Sequence, residues 1–530
     1  MPPRIPQASH RHASPSGPWP WTDLAEEKLY EWEIPDDQDA DTKAEPWSNY
    51  PAKTFPNWTR SRVERSGIGN VMRSNSKLTS CRIYHIDVRD NGQFSSLAEN
   101  TVKDESKSKS EFWGMMQKRP EGVRVRALFI ENLSGNVLQM LGTRYNIEPF
   151  FFSSSLNWIP SRYQEDVQVN QGDHITVTLT FLRTMPNPMT VPASPESGFS
   201  PKPISRAGTA TIDTQAPLTL RSCDRTLFID ILAIHMVRRK DSSTIISYHP
   251  TSEWKSTSAQ YLHSKVKFAG QSVYWGTIFK QSDDPTFVFL CMLWYALYAW
   301  DEALESLYSH ICWLEARVLI TNDIHLTREL HIIRASLLHY ASLLEDFRKT
   351  VLFIQNTPNP AMKEHTDFEK STELMDRECN TLQSEIERLE KSRKMQEMRL
   401  KNVMDLAFSS VNLQDSRDMQ RLTEAALRDS AAMKQISYLT MVFLPATFVA
   451  TAFGMNIKEV APDTSGRLSH YFASALPLTA VTVWIMLALH TKLHHGQDNP
   501  ETSFVRQLSW PLDSFMRLFV QKKKRLNDMV

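Results

Sequence analysis

Several short segments in the first half of the chain alternate apolar with polar residues, the two-residue period typical of β-strands. The predicted strands are Cys81–Val88, Val123–Ile130, Ile175–Leu182 and Leu218–Ala233. A short helix is predicted at Asn136–Leu141. Residues 186–217 hold seven prolines, which predicts a long exposed loop within the same domain. Strands and helices mixed in this way predict an α+β domain over residues 76–280.

From Thr286 the apolar residues recur at three- and four-residue steps, the pattern of helices. Thr286–Trp300 is apolar, but a membrane span needs roughly 17–25 residues. We therefore prefer a buried helix there. Ala361–Leu444 contains no glycine or proline and predicts a long helix packed along one side in an oligomer, although an ordinary coiled coil fits too. A break near Phe408–Leu413 is an alternative. Residues 281–434 are thus predicted as a helical region and stalk.

Two uncharged or nearly uncharged segments follow, and each is long enough to cross a bilayer. They are residues 435–457 and 468–491, and each contains one proline, Pro445 and Pro477. Residues 458–467 connect them, which predicts a two-helix transmembrane hairpin. Two buried core helices are the competing interpretation.

Composition narrows the class of protein. The chain has 60 Lys+Arg and 60 Asp+Glu residues, so no basic field indicates a nucleic-acid partner. The mean hydropathy of −0.38 requires any membrane part to be a small fraction. Residues 1–60 hold ten prolines, and residues 1–75 are predicted to be a disordered tail without a secretory signal. The five scattered cysteines indicate reduced thiols in the cytosol.

Charges flanking the two segments predict their orientation. The tail 492–530 carries seven Lys/Arg residues, whereas the connecting loop carries Lys458 and Arg467. The positive-inside rule places the tail in the cytosol, and two spans return the N-terminal body to that side. The expected protein is a multi-pass integral membrane protein with both termini cytosolic. The sequence does not indicate which membrane contains it.

The first span ends in Phe453-Gly454-Met455-Asn456, where it meets the connecting loop. This tripeptide, after a long proline-free helix and before a second span, resembles the signature of the CorA family of magnesium transporters. Residues 438–453 more closely resemble the divergent fungal branch, and the whole resemblance covers about residues 415–491. It implies a homo-oligomer, a pentamer, that sits in the lipid bilayer and conducts divalent cations, with Mg²⁺ as the transported ion and no cofactor.

The chemistry of the tripeptide suits this function. Mg²⁺ keeps its waters tightly, and a ring of neutral amide carbonyls can bind a hydrated ion without trapping it. Gly454, Met455 and Asn456 are therefore the predicted selectivity filter, in which Asn456 contacts the ion through its hydration shell. Matching the family's pore-facing positions adds Ile436, Leu444 and Thr447 as predicted pore-lining residues. For the two apolar ones, contact with lipid or neighbouring helices is the competing interpretation.

The loop departs from the family. Lys458, Glu459 and Asp463 follow the tripeptide, and Lys458 puts positive charge where acids would concentrate cations. The alternative function is a membrane-anchored interaction protein that kept the hairpin but no longer conducts. No enzyme is predicted: the sequence has no Walker loop or GxSxG, and His325 and His331 are six residues apart rather than the four of a helical zinc site.

Overall fold

The computed structural model describes residues 45–73, 80–95, 98–187, 212–240, 242–250, 258–321, 324–363, 368–454 and 468–495. The chain divides into two units, residues 1–410 and residues 411–530. Most of the loop predicted at 186–217, and the connecting loop, lie outside the described residues, as do residues 496–530 of the predicted tail.

The first unit is built on one mixed sheet. Its strands are β1 Cys81–Arg89, β2 Ala98–Val102, β3 Val123–Glu131, β4 Ser161–Gln168, β5 Gly172–Pro186, β6 Leu218–Leu220, β7 Arg225–Arg239 and β8 Ser243–His249. The order is β2-β1-β3-β8-β7-β5-β4, and β6 pairs with β7. All pairs are antiparallel except β3 with β8. The segment predicted as one strand, Leu218–Ala233, is in fact β6, a turn in which Asp224 has a φ of 52°, and the first part of β7.

Helices surround this sheet and continue beyond it. They are α1 Arg60–Arg65, α2 Ile68–Arg73, α3 Ser106–Gln117, α4 Gly135–Tyr145, α5 Phe150–Asn157, α6 Ala259–Gly270, α7 Val273–Gln281, α8 Thr286–Ile320, α9 Ile324–Gln355, α10 Phe368–Gly454 and α11 Leu468–His495, with a 3₁₀ turn at Pro360–Met362. Serine hydroxyls cap several N-termini, as Ser134 does for α4 by accepting from the Val137 amide. The α+β prediction for this part of the chain agrees with this architecture.

The two faces of the sheet pack against different helices. Helix α5 contacts β5 and β7 on one face, where Phe151 lies 5.4 Å from the His235 ring. Helices α8 and α9 pack on β5, and the Phe181 ring lies 6.1 Å from Tyr295 of α8. Since His174 and Phe181 occupy positions of opposite parity on β5, their side chains point to opposite faces. The sheet is therefore the middle of three layers.

The segment before the first strand differs from its prediction. Residues 45–73 of the predicted disordered tail form helices α1 and α2 and contribute Trp47, Tyr50 and Trp58 to the hydrophobic core. Tyr50 donates its hydroxyl hydrogen to the Ile147 carbonyl oxygen at 2.7 Å. Apolar aromatic side chains outweigh the low helix propensity of the proline-rich segment, because burying each one contributes about 1.5–3 kcal/mol.

Helix α8 tests the interpretation of the apolar segment Thr286–Trp300. Among the described residues, it is the one helix long and apolar enough to cross a membrane by length and composition, yet 67% of its apolar window is buried inside the fold. Phe287, Phe289 and Trp300 all belong to the hydrophobic core. This helix is a core element, as the sequence predicts. No boundary falls at residue 281, since α8 and α9 share one core with the sheet.

Helix α10 runs without interruption through the predicted break at 408–413, so that alternative is wrong. In the first unit its apolar positions Leu382, Ile386, Leu389 and Leu400 are buried. The second unit contains the rest of α10 and helix α11, each with one internal proline, Pro445 and Pro477. A shorter apolar segment of α11 is Phe472–Ile485.

Candidate functional site

The structure describes one part of the predicted pore residues. Ile436, Leu444 and Thr447 lie on the last turns of α10, and Gly454 is the last residue of that helix. The other predicted filter and loop residues lie outside the described residues; they are Met455, Asn456, Lys458, Glu459 and Asp463. The filter, its ion contact and the charge of the loop therefore stay predictions.

The predicted pore residues share a side of the helix. At about 100° per residue, Ile436, Thr447 and Gly454 fall within about 20° of one another around the helix axis. Leu444 lies about 80° from Ile436 on the same count. We call the side defined by Ile436, Leu444, Thr447 and Gly454 the threonine face, because further threonines occupy it.

The opposite side of the same helix is buried. Pro445 and Val449 are buried, and Val449 is 6% exposed. The same count of about 100° per residue places them about 180° and 220° from Ile436. Ala475 of α11 is likewise buried, whereas its neighbours are exposed. Within this unit, α10 therefore has one covered side, and the threonine face points away from it.

The threonine face carries exposed apolar side chains in the single chain. Ile436 and Leu444 are each 63% exposed, and Phe448, elsewhere on the same helix, is 67% exposed. Helix α11 also exposes large apolar side chains, including Leu476 and Val481. Exposed apolar side chains of this kind are typical of contact with lipid or with another protein.

Three hydroxyl groups give the threonine face its polarity. Thr447 donates its hydroxyl hydrogen to the Phe443 carbonyl oxygen at 2.7 Å. Thr440 donates in the same way to Ile436 at 2.7 Å, and Thr451 to Thr447 at 2.8 Å. Since each proton is used inside the helix, the oxygen lone pairs remain free to accept from outside. Water bound to a cation presents hydrogens outward, so this geometry suits a hydrated cation.

Thr447 was predicted from the sequence as a pore-lining residue, whereas Thr440 and Thr451, which lie on the same side of the helix, were not. Thr440, Thr447 and Gly454 follow one another at seven-residue steps, a spacing that keeps them on one side of a helix. That spacing could have indicated Thr440 from the sequence. It was not distinctive, because threonine is common in membrane helices, where its hydroxyl often bonds to the carbonyl four residues earlier.

Comparison with known proteins bears on the C-terminal part of the chain. Residues 279–492 match the family described as "CorA-like Mg2+ transporter protein". This range contains α8 to the end of the second predicted span, including the tripeptide at 454–456. No curated protein matches the chain.

Solved structures give weak overall matches. The complete CorA magnesium transporter of Methanocaldococcus jannaschii has 13% identity and a TM-score of 0.40, covering 76% of this chain and 96% of that one. The soluble domain of the same transporter has 12% identity and a TM-score of 0.36, covering 62% and 96%. The full-length CmaX protein has 13% identity and a TM-score of 0.39, covering 77% and 97%. Over residues 279–492, this chain is therefore similar to the CorA-like Mg²⁺ transporter family.

Proposed function

We propose that this chain is a membrane channel for Mg²⁺ or a related divalent cation, active as a homo-oligomer, a pentamer. The observation that carries the proposal is the family match, which includes both apolar segments and Gly454-Met455-Asn456 in one continuous range. Family members described in this way transport Mg²⁺, which the proposal extends to this chain.

The two sides of α10 support a homo-oligomer around a central path. One side is buried at Pro445 and Val449, and the threonine face on the other side is exposed. A single hairpin cannot enclose a path for ions. Copies arranged with their threonine faces inward would cover the exposed apolar residues and line the path with hydroxyl oxygens. The outer surfaces would then face lipid, where apolar side chains are favourable.

Selection is proposed at the end of this path. Asn456, repeated around the axis, supplies neutral carbonyl oxygens that accept hydrogen bonds from the waters of the ion. The two charges of the ion gain roughly 4.6 kcal/mol when they cross a potential of about 100 mV that is negative inside. Uptake therefore needs no coupled source of energy. With both termini in the cytosol, the tripeptide lies on the opposite side of the membrane, where the ion enters.

Flux measurements on the purified protein test the proposal. Full-length protein is reconstituted in liposomes that contain a Mg²⁺-sensitive dye, and entry is followed after external Mg²⁺ is added under an inside-negative potential. We expect flux in the wild type and its loss in Asn456→Ala, with the same oligomer on gel filtration. Asn412→Ala is the matched control, since it makes the same change at an exposed position of the same helix; it should keep the flux.

The same variants separate a channel from an anchor. Magnesium-limited growth of a transport-deficient cell should be restored by the wild type and Asn412→Ala, but not by Asn456→Ala. If the wild type assembles in the membrane yet gives neither flux nor growth, the channel is wrong and the membrane-anchored interaction protein is the better description.

A further inference from the structure

Three metal-binding side chains converge inside the sheet, far along the sequence from the tripeptide. Glu165 of β4, His174 of β5 and His235 of β7 offer ligand atoms that all lie within 4.8 Å of one another. Glu165 is paired directly with His174, and His235 is paired with Thr176, two residues further along β5. Paired residues, and residues two apart on a strand, point to the same face. The three side chains therefore meet beneath helix α5.

Each of the three side chains has a buried polar atom without a hydrogen-bond partner. Among the described residues, Glu165 Oε1, His174 Nδ1 and His235 Nε2 are buried and unpaired. His174 is 2% exposed and His235 is 0% exposed, so water cannot satisfy them from the surface. Each buried polar atom left without a partner costs about 1–3 kcal/mol. Three such costs at one point favour a bound species that pairs with all three atoms.

The second nitrogen of His235 is already held. Its Nδ1 lies 2.8 Å from the Thr176 hydroxyl oxygen, which leaves Nε2 directed towards the cluster. Metal-binding histidines have this arrangement, in which the ring nitrogen away from the metal bonds to a neighbouring group that fixes the ring. The two imidazole rings stand nearly perpendicular, at 89°, with centroids 5.3 Å apart. Thr176 is therefore a positioning residue for His235.

The surroundings supply negative charge and no positive partner for the carboxyl group. Among the described residues, no salt bridge includes Glu165. The acidic side chains of Glu148 and Asp166 lie near enough to act electrostatically on Glu165. A divalent cation would provide a positive partner for this carboxyl group.

We propose that Glu165, His174 and His235 bind a transition-metal ion, Zn²⁺ or one of its close relatives, as a resident ion of the N-terminal domain. Two imidazole nitrogens with one carboxylate oxygen form the ligand set of many zinc sites and leave a fourth position for water or another oxygen. The Tyr163 hydroxyl is a candidate for that position: it is buried, unpaired and on the same face, since Tyr163 is paired with Thr176. Mg²⁺ does not fit, because it prefers an octahedron of oxygens.

The expected role is to hold three strands and their helical cover together. Phe151 of α5 lies 5.4 Å from the His235 ring, and Phe150 lies 6.4 Å from the Tyr163 ring. The bound ion would join β4, β5 and β7 at one point under these rings. This inference is independent of the proposed channel function, because the ion is resident in the domain and is not the transported one.

Metal analysis of the full-length protein tests the site. The protein is purified with a tag that contains no histidine, and its metal is measured by mass spectrometry before and after exchange with Zn²⁺ or Co²⁺. We expect about one ion per chain and the visible absorption of tetrahedral Co²⁺. Glu165→Gln and His174→Gln should lose the ion and this absorption. Thr176→Val should lower the affinity about 10–100-fold, because it removes the hydroxyl that bonds to His235 and leaves the three proposed ligands in place.

Two control variants show whether loss of the ion is specific to this cluster. His249→Gln removes another buried histidine of the same sheet, outside the cluster, and should retain the ion. Asn456→Ala should retain it too, which separates this site from the transport path. If a histidine variant fails to fold, Glu165→Gln and Thr176→Val still decide, because both nearly preserve shape. Wild-type protein that takes up no Zn²⁺ or Co²⁺, or a Glu165→Gln variant that binds them as well as wild type, overturns the proposal.

Discussion

Asp173 and Arg238 are paired across β5 and β7, and the guanidinium group holds the carboxylate with two nitrogens. The distance from Arg238 Nε to Asp173 Oδ1 is 2.6 Å, and both side chains are buried. Arg238 Nη1 also donates to the Thr286 hydroxyl at 3.3 Å and to the Thr357 carbonyl at 3.0 Å. This ion pair thus joins the sheet to the start of α8 and the end of α9.

We expect Arg238→Met to lower the free energy of unfolding by about 3–5 kcal/mol, because it leaves the buried Asp173 carboxylate without its partner. The double variant Asp173→Asn with Arg238→Met should cost less than the sum of the single changes. Thermal unfolding of the full-length protein in detergent, followed by circular dichroism, measures this. Additive costs would show that the two side chains are not coupled.

The Tyr50 ring packs so closely on Gly142 that a side chain added at Gly142 should clash with it, and removal of the ring should relieve the clash. A Cβ atom at Gly142 would overlap the Tyr50 ring. Gly142→Ala should therefore destabilise the domain by about 1–3 kcal/mol, the usual cost of overpacking. In a Tyr50→Ala background the same change should cost much less. Urea unfolding of the four proteins gives both values, and an equal cost in both backgrounds would contradict the packing of residues 45–73 on α4.

The buried His249 should contribute to the loss of stability of the domain as the pH is lowered. Burial, with a smaller contribution from Arg183, lowers the pKa of His249 to about 3. Since this lies below the unfolded value of about 6.5, unfolding takes up a proton between these values, and stability falls as the pH is lowered through that window. Between pH 7 and pH 5 the loss from this residue is about 2 kcal/mol.

His249→Gln removes that proton uptake. The variant should therefore lose about 2 kcal/mol less than the wild type between pH 7 and pH 5. At pH 8 the histidine is neutral in both states, so any difference there reports only the lost contacts with Ser247 and Phe129. Unfolding midpoints at three pH values give the comparison, and parallel curves for the two proteins would refute the prediction.

The positive charge of Lys458 should weaken the attraction of cations to the proposed channel mouth. Lys458→Glu should raise Mg²⁺ uptake at low external Mg²⁺, since it replaces repulsion by attraction, and Lys458→Gln should give an intermediate rate. Added salt should reduce the differences, because exposed charges are screened over about 8–10 Å. Initial rates in liposomes measure this, and identical rates for all three proteins would leave Lys458 without a role.

The two-span topology predicts opposite accessibility of two engineered cysteines. Ser465→Cys, in the connecting loop, should react with a membrane-impermeant thiol reagent added outside intact cells. Ser503→Cys, in the basic tail, should react only after the membrane is opened, because the positive-inside rule places the tail in the cytosol. The native cysteines of the N-terminal body provide an internal control. Labelling of both positions from the same side would exclude the hairpin.

The sequence predicted elements whose pattern is local. Strands β1 and β3 were predicted within one residue because their apolar positions alternate, and most of α10 because residues 361–444 contain no glycine or proline. The ordered structure of residues 45–73 was not predicted. The ten prolines of residues 1–60 were given more weight than the apolar side chains of Trp47 and Trp58, which are buried.

The cluster under α5 was missed for a different reason. Glu165, His174 and His235 lie on three strands, and the pairing that joins β5 to β7 is visible only in the tertiary structure. No spacing in the sequence links positions 174 and 235. The threonine face was only partly predictable. Its seven-residue step can be read from the sequence, but the exposure of this side of α10 and the burial of the opposite side are seen only in the structure.

The hydroxyl bonds of Thr440, Thr447 and Thr451 have a consequence for anions. Each hydroxyl proton is held by a carbonyl oxygen of the same helix. An anion such as chloride that approached these three side chains would meet only oxygen lone pairs. It would lose hydrogen bonds from water there without gaining others, because no hydroxyl hydrogen is available. A surface without any formal charge can in this way distinguish the sign of an ion.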